Sequence, residues 1–224
     1  MSVYMTEEEQ LDAIRKWWQR NNTWIMLVLS CLLLAASGYK YWNWHVEKVS
    51  TQASNAYEHM MVAFSESDNK SVRAYANQLI SDYGQTVYAD AARLALAKLQ
   101  VNKNRLDKAH VMLEDVVAHS KMTALKQVAR IRIARLLTAE KDYERALEEL
   151  SVLDDAAYRP VINELKGDIF AATGQYQQAI NAYKEAISEV RNHGMGNLFL
   201  EMKTNELAAL AQSVNSENNS VQAA

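Results

Sequence analysis

The sequence has 224 residues, with 24 Lys and Arg against 27 Asp and Glu, which give a net charge of −3. Four residues of each sign precede His45, so the long segment that follows also carries a net charge of −3. This balance implies no basic surface, and nucleic acid is therefore excluded as an expected partner.

Residues 1–22 are predicted to be a cytosolic segment with a short amphipathic helix. Thr6 and Glu9 have the spacing of a capping box, in which each side chain satisfies a backbone N–H of the other residue. Leu11, Ile14 and Trp18 then recur at helical spacing. Two interpretations stay open for this helix: an interfacial collar that orients a membrane span, and a docking helix for a cytosolic partner.

An uncharged run from Asn21 to Tyr39 follows, and its apolar part with aromatic flanks extends from Trp24 to Trp44. A helix rises about 1.5 Å per residue, so this stretch reaches roughly the 30 Å of a bilayer's hydrocarbon. Aromatic rings that favour the water interfaces stand at its ends, with Trp24 at one end and Tyr39, Tyr41, Trp42 and Trp44 at the other. The sequence therefore predicts a transmembrane helix over residues 23–44.

Two alternatives for the apolar segment agree less well with its length. A cleaved signal peptide could use Ala35 or Ser37 as its small residue, but signal cores are shorter than this run and the segment carries an aromatic belt. A lipoprotein signal could place the lipid on Cys31. The run stays apolar through residues 32–34, however, where a lipoprotein would become polar.

The cationic residues near the span favour a cytoplasmic N-terminus. Arg15, Lys16 and Arg20 precede the span, whereas Lys40 and Lys48 follow it, and Lys and Arg concentrate on the cytoplasmic side of such helices. The single cysteine lies inside the span, so a domain outside the cytosol has no thiol to oxidise. We expect one membrane crossing, with the C-terminal domain outside the cytosol.

The segment from residue 45 predicts helices alone, because it shows no sustained alternation of polar and apolar residues. Within it, Ala109, Ala146 and Ala179 recur at intervals of 37 and 33 residues. A small residue on each helix of a hairpin lets the pair approach closely, and such hairpins bury their apolar faces by stacking. The accompanying positions are Ala97, Ala134 and Gly167 twelve residues before, Leu106, Tyr143 and Tyr176 three before, and Leu113, Leu150 and Tyr183 four after.

This pattern resembles the tetratricopeptide repeat. The third unit, which starts at Val161, is the clearest and has Gly174 at its turn, whereas Lys141 and Asn104 replace that glycine in the other units. The sequence therefore predicts an all-α chain. One N-terminal transmembrane helix is followed by an α-solenoid of tetratricopeptide-like helical hairpins with a C-terminal capping helix.

The domain boundaries follow from these assignments. The tetratricopeptide-like helical domain is expected over 45–212, with its clearest repeats at about 90–117, 127–154 and 160–191. A less regular hairpin over 51–65 and 70–83 precedes them. A terminal helix over 197–214 covers the apolar end of the stack, and the Ser- and Asn-rich segment 213–224 is predicted to be disordered.

The first helices of such repeats line a concave surface that suits a bound peptide. By analogy with tetratricopeptide geometry, the inward positions lie three before, one after and four after the small residue of each first helix. The candidate protein-binding groove is therefore Leu94, Lys98, Val101, Ile131, Arg135, Thr138, Glu164, Asp168 and Ala171. Its first section carries Lys98 and Arg135 and its last section is acidic. The alternative is that some of these residues pack on the terminal helix.

No convergent set of catalytic or metal-binding residues occurs in the sequence. Glu148 and Glu149 are neighbours, so their carboxylates point to different sides of a helix. No ligand spacing links the five histidines, which are His45, His59, His110, His119 and His193. We predict a protein that is not an enzyme and uses no cofactor and no metal.

Three segments carry a closer resemblance: residues 9–18 (EQLDAIRKWW), 41–45 (YWNWH) and 53–57 (ASNAY). In these segments, and in the order of its repeats, the chain resembles the YfgM family of bacterial inner-membrane proteins. Members of that family are ancillary subunits of the SecYEG translocon. The resemblance covers nearly the whole chain.

The resemblance implies a single-pass protein of the bacterial inner membrane, with a cytoplasmic N-terminus and a periplasmic C-terminal domain. The partners it implies are the SecYEG translocon, a PpiD-like membrane-anchored periplasmic chaperone, secreted or envelope client polypeptides, and membrane lipid. The implied function is to help pass secreted polypeptides to periplasmic chaperones. The alternative is a scaffold or regulatory adaptor for envelope assembly or stress signalling that is not tied to secretion.

Overall fold

The computed structural model describes residues 7–192 and 198–222. Thr6, which begins the predicted capping box, and His193 lie outside the described residues. The chain divides into two compact units, Met1–Ser54 and Asn55–Ala224. Within the described residues every regular element is a helix.

The first helix, α1, is continuous over Glu7–Ser65 and has 59 residues. The structure therefore joins three elements that the sequence predicted separately: the short amphipathic helix, the span and the first helix of the upstream hairpin. No proline interrupts the segment. Its one glycine, Gly38, weakens a helix by only about 1 kcal/mol relative to alanine. A long run without a strong breaker continues as one helix.

The apolar part of α1 fits a membrane-anchored protein. A window of 18 residues within Arg15–Ser65 has a mean hydropathy of 1.5, and none of it is buried. Leu32, Leu33 and Leu34 leave 62%, 61% and 73% of their surface exposed. Contiguous apolar surface of this kind is unfavourable in water and favourable in a bilayer.

The second unit consists of helices joined by short turns. Consecutive helices pack on each other from α2 to α9, and α5 also contacts α3 and α7. The predicted α-solenoid of helical hairpins is confirmed. The helices after α1 are α2 (Asn69–Asp82), α3 (Val87–Val101), α4 (Leu106–His119), α5 (Thr123–Ala139), α6 (Tyr143–Ser151), a short 3-10 helix (Ala156–Tyr158), α7 (Arg159–Ala172), α8 (Tyr176–Asn192) and α9 (Leu198–Gln222).

The turns inside the three predicted hairpins share one backbone geometry. Asn104, Lys141 and Gly174 have φ values of 54°, 65° and 76°, in the left-handed region that glycine favours. In each turn the following residue donates its backbone N–H to the carbonyl five positions earlier, at 2.8 to 2.9 Å. Asn104 and Lys141 therefore do replace the turn glycine, as the sequence predicted.

The hairpin of α1 and α2 has the same turn. Ser67 has a φ of 61°, and the backbone N–H of Asp68 donates to the carbonyl of Ala63 at 2.9 Å. Met60 and Val72 occupy the positions of the small pair and are 0% and 1% exposed. The upstream hairpin is thus a fourth unit in register with the others, with larger side chains in place of the small residues.

Small residues form the centre of each of the other hairpins. The large residues beside them differ in burial. Those four positions after the second-helix alanine are buried, whereas those three positions before it are only half-buried. The buried set comprises Ala97, Ala134, Gly167, Ala109, Ala146, Ala179, Leu113, Leu150 and Tyr183, and the half-buried set comprises Leu106, Tyr143 and Tyr176.

The last helix, α9, covers the end of the third unit, as the sequence predicted for a capping helix. Leu200 is 1% exposed and forms a buried cluster with Ala179, Tyr183 and Ala186. The helix is longer than expected, because it continues to Gln222 where the sequence predicted an end near residue 214 and disorder over 213–224. Ser and Asn are modest helix formers, but no Gly or Pro stops the helix in this stretch.

Candidate protein-binding groove

The nine predicted groove residues lie on α3, α5 and α7, the first helices of their hairpins. Leu94 and Ile131 are not available to a partner, because they are only 6% and 5% exposed and belong to the core. The carbonyl of Leu94 accepts a hydrogen bond from Arg132 Nη1 at 3.1 Å. The prediction is wrong for these two residues, since the position three before the small residue is packed inside the solenoid in the first two predicted units.

Lys98, Val101 and Arg135 line one cavity of about 300 Å³. The sequence predicted these three residues for the groove, and the structure brings them together. The sequence prediction missed Arg132, which precedes Arg135 by three residues and therefore lies on the same face of the helix. That spacing was a usable signal. The other lining residues are Ala97, Leu113, Arg132 and Leu136.

Thr138 and Glu164 are half-buried and do not line this cavity. The hydroxyl of Thr138 donates to the carbonyl of Ala134 at 2.8 Å, which satisfies it within its own helix. The sequence placed both residues in the groove by repeat geometry alone. Neither is brought to the cations of the cavity.

Asp168 pairs within the protein instead of facing an open groove. Its Oδ1 accepts a hydrogen bond from the Tyr183 hydroxyl at 2.6 Å and from Lys203 Nζ at 2.6 Å. Ala171 packs against the buried cluster that α9 completes. The alternative that the sequence left open, packing on the terminal helix, therefore applies to these two residues. Lys203 therefore neutralises Asp168.

The environment of Tyr183 shows how tightly this end is closed. Burial, and then the hydrogen bond to the Asp168 carboxylate, raise the pKa of the Tyr183 hydroxyl above its ordinary value. Lys203 also lies over the rings of Tyr183 and Phe199, at 5.5 and 4.8 Å from their centroids. Asp168, Tyr183 and Lys203 thus form a polar cluster whose groups pair with one another.

The cavity between the first two predicted units has the opposite character. Burial, and then the nearby charge of Arg135, lower the pKa of the Arg132 guanidinium below its ordinary value. Within residues 7–192 and 198–222, no ion pair joins Lys98, Arg132 or Arg135 to a carboxylate. The positive charge of this cavity is therefore not neutralised by those parts of the chain.

Several histidines contact neighbouring side chains. Over the part of the chain that the structure describes, no group of three or more His, Cys, Asp or Glu could hold a metal ion. His59 stacks on Tyr75, with ring centroids 5.6 Å apart, and His110 Nδ1 lies 3.2 Å from Glu114 Oε1. These contacts are those of surface and packing residues.

Most of the chain matches a known protein family. The tetratricopeptide repeat-like domain family matches residues 15–209, which include most of α1 and every helix up to α9. The chain belongs to this family. Tetratricopeptide repeat-like domains bind other proteins on their stacked hairpins, and the cavity of Lys98, Val101 and Arg135 lies on first helices of that stack.

Three relatives match this tetratricopeptide repeat-like chain over most of its length. A protein of Escherichia coli is 27% identical over 208 residues, which are 93% of this chain and 100% of the relative. One of Neisseria gonorrhoeae is 26% identical over 211 residues, 92% of this chain and 100% of the relative. One of Aggregatibacter actinomycetemcomitans is 29% identical over 186 residues, or 83% and 91%. Each is named an ancillary SecYEG translocon subunit, so the resemblance to the YfgM family is confirmed.

Proposed function

We propose that this protein is a membrane-anchored accessory subunit of the SecYEG translocon that helps pass secreted polypeptides to periplasmic chaperones. One observation carries the proposal. The relatives named ancillary SecYEG translocon subunit align over 91% to 100% of their own lengths. The alignment therefore includes both the apolar helix and the repeat domain, the two parts that such a role needs.

The apolar helix supports a location of the protein in the membrane, beside a channel. In the proposed topology α1 crosses the inner membrane once, with the N-terminus in the cytoplasm and the repeat domain in the periplasm. Arg15, Lys16 and Arg20 before the apolar run, against Lys40 and Lys48 after it, support this orientation. The repeat domain then stands where a translocated polypeptide emerges.

The repeat domain supports binding as its mode of action. Stacked hairpins present a continuous surface to a peptide and need no cofactor to do so. The proposed partners are the translocon, a PpiD-like membrane-anchored chaperone, client polypeptides and membrane lipid. In this role the protein binds and releases chains without catalysing a reaction.

Site-specific crosslinking from residues 41–49 tests the proposal directly. A photoreactive amino acid is placed at Trp42, Trp44 or Val46 in turn. These side chains are 65%, 54% and 49% exposed. We expect crosslinks to translocon subunits in intact cells. Strong crosslinks to other envelope proteins without any to the translocon would contradict the proposal and favour a scaffold unrelated to secretion.

A further inference from the structure

The cavity between α3, α4 and α5 combines an apolar floor with a basic rim. Its volume is about 300 Å³, at the small end of the range for ligand pockets of about 300–1,000 Å³. We call its apolar lining residues, Ala97, Val101, Leu113 and Leu136, the floor, and its cationic lining residues, Lys98, Arg132 and Arg135, the rim. Such a surface suits an apolar side chain with negative charge beside it.

The rim cations differ from other arginines of the same solenoid. Arg130 lies on α5, as Arg132 and Arg135 do, and pairs with Glu149 at 2.7 Å. Arg93 on α3 pairs with Asp90 at 3.1 Å. Among the residues that the structure describes, neither Lys98 nor Arg135 has such an ion pair. Two arginines elsewhere on these helices thus pair with carboxylates, whereas, in the described part of the chain, the cations of the cavity do not.

Neutral contacts hold two of the rim cations in place. Arg132 Nη1 donates to the carbonyl of Leu94 at 3.1 Å, and Lys98 Nζ lies 5.3 Å from the centroid of the Phe64 ring. These contacts fix the side chains without cancelling their charge. The remaining N–H donors of a guanidinium can form two parallel hydrogen bonds with a carboxylate.

Concentrated like charge has an energetic cost that an anion relieves. Arg132 is partly buried beside Arg135, and both effects disfavour its charged form. A carboxylate that enters the cavity offsets that cost and gains charge-assisted hydrogen bonds. Ionisable groups whose pKa is perturbed by burial and a neighbouring charge cluster at functional sites.

We propose that this cavity binds a peptide segment in which carboxylate side chains flank an apolar side chain. The inference rests on the proposed function, because it assigns a chemical class to one segment of the client polypeptide. Charge complementarity selects an acidic segment, since the rim offers three cations. The apolar floor selects a large apolar side chain between the carboxylates. At the opposite end of the predicted groove, Lys203 already neutralises Asp168.

Three short fluorescent peptides provide the test. They are identical except at two positions that flank a central leucine, where they carry Glu, Gln or Lys. Binding to the full chain in nanodiscs of phosphatidylcholine is followed by fluorescence anisotropy. We expect the Glu peptide to bind about tenfold more tightly than the Gln peptide, and the Lys peptide to bind more weakly still.

Charge reversal of the rim adds a matched comparison. Arg135→Glu and Lys98→Glu should each weaken binding of the Glu peptide by roughly fivefold to tenfold. Lys108→Glu makes the same change of charge on the exposed surface of α4, outside the cavity, and should leave binding within about twofold. Because Arg135 is exposed, its reversal should leave helical circular dichroism unchanged.

A swap of charge between protein and peptide completes the test. The Lys peptide should bind Arg135→Glu more tightly than it binds the unchanged protein, an outcome that loss of folding cannot produce. Equal affinity for the Glu and Gln peptides, or an equal loss with Lys108→Glu, would overturn the inference. Crosslinking from residues 41–49 reports on the translocon separately, so failure of the proposed function and failure of this cavity assignment give different results.

Discussion

The ring of Tyr183 occupies the space that a β-carbon would need at Gly167, where that carbon would collide with Cε1 and Cδ1 of the ring. Tyr183 is only 2% exposed, and its hydroxyl donates to Asp168 at 2.6 Å. The glycine lies inside α7, where glycine is a poor helix former. The contact with the ring, and not backbone freedom, therefore explains why this position is so small.

Gly167→Ala should lower the free energy of unfolding by up to about 2 kcal/mol, because overpacking costs about 1–3 kcal/mol and the gain in helix propensity offsets only roughly 1 kcal/mol. Urea unfolding of the purified chain in detergent, followed by circular dichroism, measures this change. Gly38→Ala is the control, since its β-carbon meets nothing within 4 Å. Higher stability of Gly167→Ala would show that the ring yields and that the close contact is not essential.

Leu200→Ala should destabilise the C-terminal end of the solenoid by about 2–5 kcal/mol, because it leaves a cavity in the buried cluster under α9. Leu200 is 1% exposed, whereas Met202 on the same helix is 61% exposed. Met202→Ala should therefore change the free energy of unfolding by less than about 0.5 kcal/mol. Equal effects of the two substitutions in thermal unfolding would argue against α9 as a packed cap.

The sequence predicted the three later hairpins because their small residues are spaced at a constant interval. It described the upstream hairpin only as less regular, since Met60 and Val72 stand where the other units have Ala or Gly. The left-handed turn at Ser67 places that hairpin in register. The feature that it shares with the other units is the positive φ of Ser67, and a serine in the sequence does not predict a positive φ.

Groove residues could be predicted from the sequence only where their position depends on the register of their own helix. Lys98 and Arg135 follow from the repeat register, and Arg132 could have been found from its spacing to Arg135. The pairing of Asp168 with Lys203 joins residues 35 positions apart and depends on where α9 packs. No local pattern encodes that contact, so the sequence predicted an exposed acid where the structure has a neutralised one.

Asp68 should make the stability of the upstream hairpin depend on pH. Its carboxylate accepts hydrogen bonds from the Ser71 hydroxyl at 2.5 Å and from the backbone N–H groups of Ser71 and Lys70 at 3.2 and 3.0 Å. These bonds, with the hydroxyl first, hold the pKa of Asp68 below its usual value of 3.8. The stabilisation is therefore complete above that value and is lost as the pH falls through the lower pKa of the folded state.

Asp68→Asn keeps a capping oxygen but removes this titration. We expect the unchanged protein to exceed Asp68→Asn in stability at neutral pH, and the difference to shrink as the pH is lowered below 3.8. Urea unfolding at a series of pH values measures the difference. A difference that stays constant across the series would mean that the charge of Asp68 does not contribute to the cap.

Labelling of single cysteines should report the proposed topology. In a Cys31→Ser background, cysteines at the exposed residues Lys16 and Lys103 lie on opposite sides of the apolar run. A membrane-impermeant maleimide should label Lys103→Cys in intact spheroplasts and Lys16→Cys only after permeabilisation. The reverse pattern of labelling would overturn the orientation and with it the periplasmic location of the repeat domain.

Under the proposed function, the basic cavity of the solenoid contacts polypeptides as they leave the translocon. A photocrosslinker at Val101, which lines the cavity and is 38% exposed, tests this in cells during synthesis of a secretory precursor. Val111 is the control position, since it is 65% exposed on α4 and does not line the cavity. We expect precursor crosslinks from Val101, few from Val111, and a loss of the Val101 crosslinks in Arg135→Glu. Equal crosslinking from both positions, or none from Val101 while residues 41–49 still crosslink to the translocon, would contradict it.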